Sequence, residues 1–221
     1  MTHNIAIDGP AGAGKSTIAK ILAKELGYVY VDTGAMYRAI AVFYMDRCVA
    51  YDDEESVNSL IPEIDIRIEY KDGIQQVILN GENVTGRLRT EEVGKMASKT
   101  SAYPKVREKL VELQQNLAKT TSVVMDGRDI GTKVLPDADL KIYLTASAKA
   151  RAKRRYDELV QKGEKCDYDV ILKDIEERDY QDMHRKESPL TKAADAVEID
   201  SSDMSIEEVV NAVKNLIKDE E

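Results

Sequence analysis

The sequence predicts an α/β fold: a five-stranded parallel sheet with helices on both faces, interrupted by a smaller inserted α+β segment. Three observations predict it. Short apolar runs recur at Asn4 to Asp8, Tyr28 to Val31, Ser122 to Asp126, Leu140 to Leu144 and Ala196 to Ile199, each of a length suited to a buried strand. Stretches with helical periodicity stand between them, the alternation of a parallel sheet covered by helices. Between the second and third runs this rhythm breaks, and Asp65 to Tyr70 alternates polar and apolar residues, as an antiparallel strand with one wet face does.

Each element has a local reason. The first run ends in a glycine-rich turn, after which Ile18, Ile21, Leu22 and Leu26 recur at helical spacing up to a stop at Gly27. A second helix is expected over Ala35 to Asp46. Lys71-Asp72-Gly73 and Asn80-Gly81 are turn signals flanking a strand at Gln76 to Leu79. A helix from about Thr90 to Ser101 follows, and Pro104 opens a long one. Helices near 147–162 and 168–184 precede the fifth strand. Ser205 and Glu208 form a capping box for a closing helix carrying Ile206, Val209, Val210, Val213 and Leu216. The expected domains are a core of 1–62 and 104–221, with a helical lid at about 147–165, and an insert of 63–103.

With 221 residues the chain can bury a core of ordinary size. It carries 32 Lys and Arg against 41 Asp and Glu, a net charge of −9, which disfavours a general nucleic-acid binder. The longest apolar stretch, Ala39 to Met45, is far short of a membrane span. The first strand begins within four residues of Met1, so no leader is expected. Cys48 and Cys166 are too few and too far apart for a disulfide framework or a metal cluster. A cytoplasmic monomer, with no membrane or nucleic-acid partner, is the expectation. His3 and His184 need no chemical role.

Gly9-Pro10-Ala11-Gly12-Ala13-Gly14-Lys15-Ser16, followed by Thr17, matches G-x-x-x-x-G-K-[ST] between a strand and a helix. Its backbone N–H groups can turn inward around the phosphates of ATP. Lys15 can reach the β- and γ-phosphates and the Ser16 hydroxyl can ligate Mg²⁺. No Asn-Lys-x-Asp guanine motif follows. Lys149 to Arg155 holds five cations in seven residues. Arg151 and Arg155 fall on one helical face with Arg154 beside them, a candidate cationic lid over the triphosphate. A solvated basic face is the plainer alternative.

Asp32-Thr33-Gly34-Ala35-Met36-Tyr37-Arg38 follows the second strand and Asp126-Gly127-Arg128-Asp129-Ile130-Gly131-Thr132 the third. Together with the phosphate loop and Glu177-Arg178-Asp179 leading to Asp182 and Arg185, they resemble the bacterial cytidylate kinases over nearly the whole length. The resemblance implies a P-loop fold of the nucleoside-monophosphate-kinase kind, with the insert as monophosphate-binding domain. It implies reversible phosphoryl transfer from ATP to CMP or dCMP. Arg38 and Arg128 would hold the acceptor phosphate, Thr33 would hydrogen-bond the acceptor, and Tyr37 would belong to the same substrate site. Asp129 and Arg107, assisted by Ser98, would read cytosine. Arg178 and Asp182 would contact the ribose, and Arg185 would lie near the nucleotides. Arg154 and Arg155 would serve the transferring phosphate, without the sequence saying which of the two reaches it. The plainer alternatives are a polar helix position for Ser98 and an i,i+4 ion pair for Arg178 and Asp182. A different acceptor, such as UMP or a non-nucleotide metabolite, and a nucleotide-reporting switch are the competing functions.

Overall fold

The computed structural model describes residues 2–218; Met1 and residues 219–221, the outermost positions of the expected core domain, lie outside the described residues. β1 (Asn4–Asp8) is buried except at its first residue. It feeds the glycine-rich loop and then α1 (Lys15–Leu26), which stops where Gly27 takes the left-handed conformation. β2 (Val29–Asp32) and α2 (Thr33–Asp46) follow. The helix starts two residues earlier than its apolar pattern suggests, because the Asp32 carboxylate accepts the Ala35 N–H at 2.9 Å and caps it.

α3 (Glu54–Leu60), capped by the Asp53 side chain, was not anticipated. Only Val57 on it is buried, so it has no apolar stripe to read. β3 (Ile66–Lys71), β4 (Ile74–Leu79) and a two-residue β5 (Glu82–Asn83) form the small antiparallel sheet. α4 (Glu91–Thr100) and α5 (Pro104–Thr120) come next. Then follow β6 (Val123–Gly127), a single wide π-helical turn over Ile130–Val134, β7 (Leu140–Thr145), α6 (Ala148–Gln161), α7 (Tyr168–His184), β8 (Val197–Asp200) and α8 (Ile206–Lys218). The capping box forms as expected: Glu208 accepts the Ser205 N–H at 2.8 Å and donates its own N–H to the Ser205 hydroxyl.

The five-stranded sheet has the order β2-β6-β1-β7-β8. β6, β1, β7 and β8 pair in parallel, with Asp8 opposite both Gly127 and Tyr143. Parallel pairing brings the ends of β1, β6 and β7 to one edge, where ligands bind in open α/β sheets. The core beneath it joins Ile5, Ile7, Val124, Ile142 and Leu144 from the strands to Ile18 and Leu22 of α1 and Val209 and Val213 of α8.

The chain divides into two compact units, Met1–Tyr30 with Thr121–Glu221, and Val31–Thr120. Within the second, α2 packs on α4, α5 and β4, and the hydroxyl of buried Tyr44 donates to the Val57 carbonyl at 2.9 Å. Among the described residues no helix is long and apolar enough to cross a membrane.

Candidate active site

The phosphate loop is shaped by glycines that cannot be replaced. Gly9 has φ +148°, and a Cβ there would stand 1.9 Å from the Leu144 carbonyl oxygen. The loop therefore lies directly on the end of β7. Gly14, at φ 92°, is the left-handed residue from which α1 starts. Lys15 is buried and its Nζ donates to the Pro10 carbonyl at 2.7 Å. Burial first, then the nearby Arg128 guanidinium, push its ammonium down to about 7, against the pull of Asp126, Asp8 and Asp182.

The Ser16 hydroxyl donates to Asp126 Oδ2 at 2.8 Å, and the Tyr30 hydroxyl donates to Asp126 Oδ1 at 2.9 Å. Asp126 sits on β6 level with Ile7 of β1. The sequence pointed to Ser16 but gave Asp126 no task of its own. The signal was present in part, as an acid ending an apolar run, but its pairing with Ser16 depends on strand order. A hydroxyl beside a carboxylate is a hard-oxygen pair of the kind Mg²⁺ accepts together with substrate phosphates.

Five of the expected acceptor residues cluster in the same unit. Arg128 leaves the end of β6 and its Nε donates to Asp182 Oδ2 of α7 at 2.8 Å. Asp182 thus pairs with Arg128 rather than with its helical neighbour Arg178. Burial would raise the Asp182 carboxyl, but Arg128, with Arg178 and Arg185 behind it, outweighs burial and holds it below the usual carboxylate range. Arg178 is lowered by burial and by Arg128, and its buried Nε has no hydrogen-bond partner among the described residues. A buried guanidinium beside a second one is unfavourable until an anion or a row of acceptors arrives. Arg185 donates to the Ser188 carbonyl and stands 3.9 Å from Asp129.

The three arginines of α6 divide. Arg151 is buried, donating to the Ala146 and Ala11 carbonyls at 2.8 and 2.9 Å and forking onto Asp179. It ties α6 and α7 to the backbone of the phosphate loop. Arg154 bonds the Ser201 carbonyl and lines a cavity of about 380 Å³ with Gly12, Thr17, Met204 and Ile206. Arg155 is half exposed and pairs with Glu158 of its own helix at 3.0 Å. Arg151 and Arg155 share a helical face, as their spacing requires, but the face passes from buried to exposed between them.

In the second unit, the first turns of α2 carry Thr33, Tyr37 and Arg38. Thr33 is buried. Gly34 leaves room for the Arg38 guanidinium, whose Nη1 would lie 3.2 Å from a Cβ at that position. Arg107 of α5 lies over the Tyr37 ring at 5.5 Å and donates to the Ser101 carbonyl at 3.1 Å. Ser98 is half-buried on α4. Two residues with no expected role hold this arrangement. The Gln75 amide accepts the Asp32 N–H at 2.8 Å and donates to the Asp32 carbonyl, and Arg89 pairs with the Asp32 carboxylate.

A family model described as cytidylate kinase matches residues 5–219. A cytidylate kinase of Caldicellulosiruptor saccharolyticus is 53% identical over 213 residues, covering 96% of this chain and 94% of that one. One of Leuconostoc mesenteroides subsp. mesenteroides is 50% identical over 219 residues, covering 99% and 98%. Among solved structures, the shikimate kinase of Bacteroides thetaiotaomicron has a TM-score of 0.51 over 98% of each chain at 14% identity, a likeness of fold alone.

Proposed function

The chain belongs to the cytidylate kinase family, and from that premise we propose that it transfers the γ-phosphoryl group of ATP reversibly to CMP or dCMP. The observation that carries the reading is the gathering of Arg128, Arg178 and Arg185 around Asp182 and Asp129, beside the phosphate loop at the ends of β1 and β6. Cations converging on a place where one strand end offers a triphosphate cradle suit an acceptor dianion held for in-line attack.

The loop from Gly9 to Thr17 would hold the donor phosphates, and the 380 Å³ cavity, with apolar Ile206 and Met204 in its wall, would take the donor base. Ser16 and Asp126 would hold Mg²⁺, which when bound supplies charge neutralisation between the phosphates. Arg38 and Arg128 would fix the acceptor phosphate, and Asp129, Arg107 and Ser98 would read the base. Asp129 suits the cytosine amino group, whereas uracil would set a carbonyl against the carboxylate. Arg178, Asp182 and Arg185 would line the ribose side, Thr33 and Tyr37 the phosphate side. Arg154, beside the loop, is better placed for the donor than Arg155. The segment 63–103 would close on the acceptor and 147–165 would act as lid. No general base is needed, because the attacking phosphate oxygen is already ionised near neutral pH.

A coupled assay of ADP formation with CMP, dCMP, UMP, AMP and GMP tests this. Turnover should be confined largely to CMP and dCMP, and Asp129→Asn should relax the preference for cytosine. Turnover chiefly with another acceptor would overturn the base assignment.

Lys15 makes a second test. With its ammonium lowered to about 7 in the free enzyme, it is about nine-tenths neutral at pH 8. A bound triphosphate restores the charge, so ATP binding should take up close to one proton at pH 8 and about half of one at pH 7. Calorimetry in buffers of different ionisation enthalpy measures this directly. Binding without proton uptake at pH 8 would show that Lys15 is already charged before the nucleotide arrives.

A further inference from the structure

Asp8 ends β1 and is buried, yet it takes no part in the hydrogen bonding of the phosphate loop that follows it. Its carboxylate reaches instead to the segment behind Asp129. Oδ1 accepts the Ile130 N–H at 2.8 Å and Oδ2 accepts the Gly131 N–H at 2.7 Å. These are the first two donors of the wide turn Ile130–Val134, the groups that no bond within a helical turn can satisfy. Asp129 is the residue from which that turn starts: its carbonyl accepts the N–H groups of Lys133 and Val134.

An aspartate in that place ordinarily caps its own turn with its side chain. Here the Asp129 side chain makes no capping bond, and Asp8 holds the Gly131 N–H, one of the two donors that such a cap uses. The turn is gripped from its other side as well. A Cβ on Gly131 would lie 3.2 Å from Lys141 Cδ and 3.5 Å from Asp8 Oδ2. Lys141 is itself held by the Pro136 carbonyl and, at 2.6 Å, by Asp195. Asp129 is therefore attached to a turn whose position is set from β1 and β7.

We propose that Asp8 is a positioning residue for base selection: by capping the turn in place of Asp129, it keeps the Asp129 carboxylate directed at the acceptor base. The inference rests on the base-reading role of Asp129 given above. Its consequence is that discrimination between cytosine and uracil depends on a residue that touches neither nucleotide.

The test is Asp8→Asn, read as the ratio of kcat/KM for CMP to that for UMP. An asparagine amide offers one acceptor and sets its NH₂ against the other N–H. Asp129 is then drawn to cap its own turn. The ratio should fall about tenfold or more, as expected when a buried polar reader is misdirected, with KM for ATP changed by less than about twofold. Burial raises the Asp8 carboxyl to about 6, so removing that charge relieves a desolvation cost that offsets part of the lost hydrogen bond, and a thermal melt checks that the variant is folded. Asp8 also lies near Lys15, but a change acting through Lys15 would slow both acceptors alike and leave the ratio intact. An unchanged ratio in folded Asp8→Asn overturns the inference. If that variant does not fold, Gly131→Ala decides, since its Cβ would crowd Lys141 at 3.2 Å and come to 3.5 Å from Asp8 Oδ2, pressing on the contact between Asp8 and the turn. A lowered ratio there supports the inference and an unchanged one overturns it. Asp129→Asn is the control. If it leaves the ratio unchanged, the reading of Asp129 fails and the inference falls with it. If it lowers the ratio and Asp8→Asn does not, the inference alone fails.

Discussion

Replacing Lys15 by methionine is expected to lower kcat about a thousandfold, close to 4 kcal/mol of transition-state stabilisation, the upper end of what one preorganised charge contact supplies. The Nζ now rests on the Pro10 carbonyl within the loop, and a bound triphosphate would offer it anionic oxygens in the same cradle. Methionine keeps an unbranched chain, one atom shorter, and removes the charge. The fold should not suffer. The lysine titrates at about 7 in the folded chain against 10.5 when unfolded, so between these values the unfolded state holds the extra proton and stability rises with pH. Below pH 7 the fold carries the whole cost of the buried cation, and methionine removes that cost. The acids nearby keep other donors, Ser16 and Tyr30 for Asp126, and two backbone N–H groups for Asp8. Initial rates beside a thermal melt test the expectation. A kcat within tenfold of the parent would take Lys15 out of the transition state, and a collapsed melt would make its role structural.

The features that the sequence foretold are those that neighbours in the chain create. The phosphate loop, the stop at Gly27, the capping box at Ser205 and the helix opened by Pro104 all depend on residues within a few positions of one another. The sequence was silent where the partner is distant. Ser16 meets Asp126 across 110 positions, Gln75 meets Asp32 across 43, and Asp8 meets Ile130 across 122. No periodicity encodes such a pair, because strand order decides which loop ends become neighbours. Arg151 illustrates the same limit. Its spacing from Arg155 was legible, but its burial against Ala11 and Asp179 follows from how α6 and α7 pack at the loop. α3 escaped notice for another reason. Seven residues with one buried side chain carry too little apolar pattern to read.

Arg128→Met is expected to lower kcat/KM for CMP about a thousandfold, with KM for ATP changed only a few-fold. The guanidinium is held sideways: its Nε is given to Asp182 and one Nη1 hydrogen, at 3.4 Å, to the Gly127 carbonyl, which leaves Nη2 and the other Nη1 hydrogen to form a fork toward an acceptor phosphate. Lysine has no such fork, and its single nitrogen cannot reproduce the bond to Asp182 together with a two-pronged grip on a phosphate, so Arg128→Lys should recover little of the loss. Asp182 then has a definite place in the reaction. If it works by aiming Arg128, Asp182→Asn alone should cost part of the rate, and adding it to Arg128→Met should cost almost nothing further, because the group it aims is already gone. A ribose contact made by Asp182 in its own right would instead give losses that multiply in the double variant. The second outcome would return Asp182 to the direct contact that the family resemblance implies, and the first would make it the brace of the acceptor clamp. Burial is the largest influence on the Asp182 carboxyl and Arg128 the largest against it, with Arg178 and Arg185 next. A pH profile of Arg128→Met therefore belongs beside the cycle, to separate the aim of Arg128 from a change in the charge of its partner.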